Sequence, residues 1–334
     1  MTIGAPLALT MGEPGGVAPE ITEIAWRMLR EKGPAFFVIA DPALFRNVET
    51  RTIARPDEAS AHFANALPVL PLEEAVRAEH GVAAMGNAAA VISSIERAVD
   101  FALAGDASAV VTNPIQKSAL IASGFAYPGH TEFLEALTAQ APMPNGATGR
   151  GAVMMLAGPD LRTVPVTIHQ SVSDAIKSLR PDLIVTTALI TAEALKRDFG
   201  IAAPRLAVSG LNPHAGEGGA MGVEDTMIIE PAVAELEARG VDTDGPLPAD
   251  TMFHKEAREK YDAALCMLHD QALIPAKTLA FHDAVNVTLG LPIIRTSPDH
   301  GTALGIAGKG AARADSLIAA IRLADELSRK RRTA

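Results

Sequence analysis

Apolar positions in this chain follow two rhythms: short unbroken runs, and longer segments where they return every three or four residues. The run LALTM (7–11) reads as a buried strand. After GEPGG, the residues Ile21, Ile24, Ala25, Met28 and Leu29 recur at helical spacing, and Gly33 marks the stop. FFVIA (36–40) is a second strand, ending at Asp41. A helix carrying Val91, Ile95 and Val99 precedes the strand ASAVVT (107–112). The runs AVMML (152–156) and LRTVPVT (161–167) flank GPD and predict a hairpin. Further on, the pattern predicts helices over 181–198, 224–240 and 316–328, and strands at RLAVSG (205–210) and DAALCML (262–268). VNVTLG (285–290) and PIIRTS (292–297) are strand-like.

This alternation implies an α/β fold with parallel-dominated sheets. No internal repeat and no low-complexity segment interrupts it, and 334 residues are enough for two domains. Hydrophobic residues make up 48% against 20% charged, so a large core can be buried. A net charge of −10 repels phosphate backbones, and 4% aromatic residues supply no stacking platform, so a nucleic-acid partner is not expected. No apolar run approaches the length of a membrane span. The first residues read as a strand rather than a signal peptide. Cys266 is the only cysteine, which excludes a disulfide within the chain and fits a reduced, cytoplasmic setting; in AALCML it reads as a small buried hydrophobe. The basic run Arg329–Arg332 reads as a solvated helix end.

Polar residues cluster after the apolar runs. His169 ends VPVTIH, His214 lies in LNPH, and His269 follows ALCML. Ligands of open α/β sheets bind beyond the carboxyl ends of strands, so the three imidazoles could converge on one cation with an open fourth position, as zinc prefers. His214 lies among five glycines in 208–222, which points to a backbone in close approach to something. Asp250, Asp270, Lys277, Asn286 and Arg295 are further candidates. Lys277 and Arg295 sit in predominantly apolar segments, where a cation needs an anionic partner, and Arg295 could grip a phosphate or carboxylate in two-pronged fashion. The stretch PGHTE opens a helix at His130 and Thr131; Thr131 is either an N-cap or a donor to a bound anion. Gly12–Gly16 does not match GxGxxG, which rules out the usual dinucleotide fingerprint. The loop around Asp299, His300 and Gly301 could cradle a nucleotide by another route.

The stretches MGEPGGVAPE, TNPIQK, GHTEFLE, LNPHAGEGGAMG, LPADTMFH, MLHDQALIPAKTL and VNVTLGLPIIRTSPDHGTA resemble, in order, the motifs of the 4-hydroxythreonine-4-phosphate dehydrogenase family. GEPGGVAPE and DHGTALGIAGKG also resemble, more loosely, the isocitrate and isopropylmalate dehydrogenase superfamily. The resemblance implies two α/β/α domains with an active-site cleft between them: residues 1–130 with 290–334, carrying the NAD loop, and residues 131–289, carrying the metal ligands and dimerisation. It implies His169, His214 and His269 as metal ligands, and His130, Thr131, Lys277, Asn286 and Arg295 as substrate contacts. The metal would be zinc first, with magnesium and cobalt as the other candidates. The implied reaction oxidises 4-phosphooxy-L-threonine with NAD or NADP to 2-amino-3-oxo-4-phosphooxybutanoate. That product decarboxylates to 3-amino-2-oxopropyl phosphate, in vitamin B6 synthesis. The resemblance also implies a homodimer whose active site draws metal ligands from both chains. Lys277, Asp250 and Asp270 remain open as the proton acceptor. The sequence departs from the family at Glu13, where Asp is more usual, and at Ala18, where Gly is usual, while Asn113 occupies a variable loop position. Rival readings are the same chemistry on a 4-phospho-threonate or -erythronate, a catalytically silent sensor, and a phosphoacyl transferase.

Overall fold

The computed structural model describes residues 4–127 and 129–333. The first three residues of the N-terminal reading, Pro128 of the PGHTE stretch, and Ala334 lie outside them. The described residues form twelve strands: β1 (Leu7–Thr10), β2 (Phe36–Ile39), β3 (Thr50–Thr52), β4 (Leu67–Leu70), β5 (Val110–Val111), β6 (Val153–Ala157), β7 (Arg162–Pro165), β8 (Arg205–Ser209), β9 (Asp242–Leu247), β10 (Ala263–Cys266), β11 (Val285–Leu289) and β12 (Arg295–Pro298). The chain divides into two compact units, residues 1–142 with 291–329, and residues 143–290 with 330–334.

In the first unit the strand order is β3-β4-β2-β1-β5-β12, and every neighbouring pair is parallel. β1, β2 and β4 are buried at every position. That explains why they read as continuous apolar runs: strands of a parallel sheet are covered on both faces. The helix Ala88–Ala104 packs on β1 and stops at Gly105, whose φ of 83° suits a residue without Cβ. Its Ser94 hydroxyl donates to the Ile39 carbonyl and accepts from Met11 N–H, tying two strand ends together.

In the second unit the order is β11-β6-β7-β10-β8-β9. β6 and β7 form the expected hairpin, with Leu156 opposite Thr163, and β11 is antiparallel to β6. β7, β10, β8 and β9 run parallel. The helix Pro181–Arg197 matches the predicted one.

Several elements differ from the pattern. β9 reads DTDGPL, polar with a glycine and a proline, and forms a strand only because β8 lies beside it. The predicted helix over 224–240 is a π-turn, Asp225–Ile229, followed by an α-helix, Glu230–Ala238. The wide turn precedes Pro231, which has no N–H to continue an α-helical ladder. The helix beginning at His130 belongs to the first unit. Asn113 does stand in a loop, after β5, but it is fully buried there, and its amide donates to Thr10 O and Thr22 Oγ1 at 3.0 Å each. Nor is the basic run at the chain end uniformly solvated. The last helix, Asp315–Thr333, places the Arg331 side chain at 14% exposure, 2.6 Å from Asp198, which also holds Arg197 at 2.8 Å. A carboxylate at 6% exposure needs cations in its own shell, and it takes both.

Candidate active site

Three of the candidate histidines follow the carboxyl ends of three neighbouring parallel strands. His169 lies four residues past β7, His269 three past β10 and His214 five past β8, and these strands are ordered β7-β10-β8. The His169 and His269 ring centroids are 6.2 Å apart, with planes inclined at 44°. His269 begins the helix His269–Ala280, and its Nδ1 lies 2.7 Å from Asp270 Oδ1. A carboxylate only accepts, so Nδ1–H donates in this contact, which leaves Nε2 outside it. His169 has φ 52°, a left-handed conformation that non-glycine residues adopt at a cost of roughly 1–2 kcal/mol. Such strain concentrates where a side chain must be aimed.

His214 stands on a different turn. His214, Ala215, Gly216, Glu217 and Gly218 all have positive φ, making one short left-handed coil. Its anchor is Asp225, which the sequence reading did not single out. The Asp225 carboxylate is fully buried and accepts from Leu211 N at 2.8 Å, Asn212 N at 3.1 Å and Asn212 Nδ2 at 2.9 Å. Glycines make room for it: a Cβ on Gly210 would sit 2.7 Å from Asp225 Oδ1, and one on Gly216 3.2 Å from Oδ2. The glycine-rich stretch thus wraps a buried carboxylate and presents an imidazole beyond it. Acidic residues at the start of a predicted helix, fourteen positions after Leu211, carried no signal for that role.

Two adjoining depressions share His269 and Asp270. One, about 470 Å³, is lined by Thr167, His169, Ser171 and Leu268. The other, about 500 Å³, runs along the helix past Leu273 and Lys277 to Phe281. Lys277 and His269 therefore lie along one helix face, two turns apart. Asp250 sits exposed on the turn Ala249–Thr251 and lines neither depression. Asn286 is half-buried on β11, opposite Leu156.

The first unit gathers a separate group of candidates. Arg295, on β12, is 3% exposed, and its Nε and Nη2 reach Thr112 Oγ1 at 3.1 and 2.6 Å. Burial lowers its pKa to about 10. His130 begins the helix His130–Thr138 after the extended Gly129, so Thr131 stands inside the first turn and is not the cap. The His130 Nε2 is buried and, among the described residues, has no hydrogen-bond partner. Burial, reinforced by the charges of Arg295 and Lys117, pushes its pKa well below the usual range, so the imidazole is neutral at pH 7. Glu13 is buried in the Gly12–Gly16 turn; burial raises its pKa, and its carboxylate accepts from Gly15 N at 3.3 Å. Beyond β12, His300 and Gly301 are exposed, and Asp299 N–H donates to Ser316 Oγ at 3.2 Å.

The residues present bear directly on a metal ion. His169 and His269 are close enough for both to approach one cation, and the Asp270 bond orients one of them as metal-binding histidines usually are. Within one chain, among the described residues, no group of three His, Cys, Asp or Glu side chains is placed to hold a metal ion. In the loop after β12, a Cβ on Gly301, Gly305 or Gly310 would meet nothing within 4 Å, whereas one on Gly308 would lie 2.6 Å from the His80 ring.

Comparison with known proteins places this architecture. A model of the pyridoxal phosphate biosynthetic protein PdxA matches residues 33–324. A 4-hydroxythreonine-4-phosphate dehydrogenase of Caulobacter vibrioides is 53% identical over 98% of both chains. One of Methylorubrum populi is 52% identical over 97% of this chain and 95% of its own. The crystal structure of the Klebsiella pneumoniae enzyme of that name superposes with a TM-score of 0.85 at 36% identity, covering 98% of each chain. A terephthalate 1,2-cis-dihydrodiol dehydrogenase of Burkholderia xenovorans follows at 27% identity and TM-score 0.64, over 96% of this chain and 98% of its own. The extent of the family match and the identity along nearly the whole length lead to one conclusion: the chain belongs to the PdxA family of 4-hydroxythreonine-4-phosphate dehydrogenases.

Proposed function

We propose that this chain oxidises the 3-hydroxyl of 4-phosphooxy-L-threonine, with NAD or NADP as acceptor and a divalent cation, zinc first and magnesium or cobalt next, at His169, His214 and His269. The product, 2-amino-3-oxo-4-phosphooxybutanoate, loses carbon dioxide to give 3-amino-2-oxopropyl phosphate. The observation that carries this reading is 53% identity, over 98% of both chains, to a dehydrogenase named for this substrate. The pairing of His169 with His269 at neighbouring strand ends supports it.

In this reading His169, His214 and His269 supply three imidazole donors drawn from both chains of a homodimer in the cytoplasm. Held by these imidazoles, a cation would supply Lewis acidity toward the substrate oxygen, and a bound nicotinamide would supply the hydride acceptor. Asp270 orients His269 through their 2.7 Å bond. Lys277, on the same depression, holds a charged end of the substrate or takes the hydroxyl proton. Asn286 offers a neutral donor and acceptor to the substrate. Arg295, with neutral His130 and the N–H groups of the first turn at Thr131, binds the phosphate as charge-assisted and helix-terminal donors do. Asp299, His300 and Gly301 supply open backbone and polar side chains to the nucleotide. Asp250 lies apart from both depressions and is the weaker candidate for proton transfer.

A second substrate is favoured by one observation: a structural relative at 27% identity carries the name of a dehydrogenase for a different alcohol. The test is NADH formation by the metal-stripped protein with zinc, magnesium or cobalt restored, across 4-phosphooxy-L-threonine, 4-phospho-threonate and 4-phospho-erythronate. The expected result is metal-dependent turnover with the first substrate preferred. A preference for either of the others moves the chain to the second reading. No NADH from any of them, with ligand still bound, makes it a sensor.

A further inference from the structure

Besides Arg295 and His130, a third group stands at the start of the helix His130–Thr138. Lys117 is the first residue of the helix Lys117–Ala122, on the stretch that follows β5. A Cβ on Gly129 would lie 3.2 Å from Lys117 Nζ, which places the ammonium against the backbone that opens the His130 helix. On electrostatic grounds this is the wrong end. Helix N-termini carry partial positive charge, and a cation there is unfavourable. A second cation, the Arg295 guanidinium, lies nearby at 3% exposure, and both charges act on His130. The nearest carboxylate is Glu132, whose Oε2 lies 3.3 Å from the same Cβ position. Among the described residues it makes no ion pair with Lys117 within 4.0 Å. Two cations that both act on His130, a positive helix end and, among the described residues, a buried imidazole nitrogen without a hydrogen-bond partner are together complementary to an oxyanion of more than one charge.

We infer that Lys117 is an anion-binding residue that, with Arg295 and the Gly129–Thr131 backbone, selects a phosphomonoester dianion over a singly charged carboxylate. This rests on the reading of His130, Thr131 and Arg295 as phosphate contacts. Gly129 is part of the device, because any side chain there would meet Lys117 Nζ and Glu132 Oε2. His130 stays neutral under the charges of the two cations, so its Nε2 can donate to the anion in the N–H form without adding a third full charge.

The experiment measures inorganic phosphate binding to the full chain by titration calorimetry, alongside steady-state kinetics on the preferred phosphorylated substrate. The wild type, Lys117→Met and Lys117→Arg are compared. Lys117→Met is expected to weaken phosphate binding roughly three- to tenfold, as removal of one solvent-accessible charge contact does. KM should rise by a similar factor with kcat changed less than twofold, and Lys117→Arg should restore most of the loss. Lys117 is exposed, so its replacement leaves the core untouched. Phosphate binding lost in Lys117→Met, in a protein that gives no NADH with any substrate, supports the inference while defeating the proposed reaction. Equal phosphate affinity in wild type and Lys117→Met, or no phosphate binding by the wild type, overturns it.

Discussion

At the scale of single residues, His130 shows how far environment moves a side chain from its ordinary chemistry. Its pKa is depressed first by burial and then by Arg295 and Lys117. The unfolded chain takes up a proton on this histidine near pH 6.5, and the folded chain does not. The unfolded state therefore binds more protons below that pH, and stability falls as acid is added, by up to about 1.4 kcal/mol per pH unit until the folded value is reached. Melting temperatures at pH 7 and pH 5 should show wild type losing more than His130→Gln; equal losses in both proteins contradict the shift. The sequence marked His130 as a helix opener, which it is. Its neutrality was not legible, because Arg295 lies 165 positions away along the chain.

At the scale of elements, the left-handed turn at 214–218 is the least expected piece of backbone. Three of its five residues, His214, Ala215 and Glu217, carry side chains, each at a cost of roughly 1–2 kcal/mol. Asp225 offsets that strain through three hydrogen bonds to 211–212, made from a fully buried carboxylate. Asp225→Asn keeps the shape but gives up charge-assisted bonds and introduces an amide donor. The expected loss is about 2–3 kcal/mol in urea unfolding, with weaker metal retention through His214. Unchanged stability together with unchanged metal content would show that the turn holds its shape without the carboxylate. Glycine density announced an unusual backbone here. It could not name the anchor, because Asp225 belongs by pattern to the following helix.

At the scale of the molecule, the end of the last helix, from Lys330 on, belongs to the second unit. Arg331 joins Asp198 and Arg197 in a cluster where the carboxylate is 6% exposed. Two arginines hold the Asp198 carboxyl below the usual range against the effect of burial. A depressed carboxyl contributes stability above its unfolded pKa, about 3.9, and loses it as the pH falls through the folded value. Arg331→Met should cost about 1–3 kcal/mol at pH 7, since Arg197 remains on the same carboxylate, and the deficit should shrink on acidification below pH 4. An equal melting temperature for variant and wild type at pH 7 would show that Arg197 alone suffices. The basic run gave no hint of this, because periodicity cannot tell one arginine of four from its neighbours. Other large-scale features were plain in advance: the α/β alternation, the hairpin at 152–167, and three histidines at the ends of parallel strands. They were plain because apolar runs and turns are local signals, repeated over a few residues. Thr112 beneath Arg295, 183 positions apart, required the parallel pairing of β5 with β12 to bring them together, and Lys117 against Gly129 required the turn between two successive helices. The sequence by itself determined which segments are strands and helices and which polar groups end them, since both follow from spacing along the chain. The tertiary structure decided which charges meet, because electrostatic neighbours are chosen by topology and burial rather than by distance in sequence.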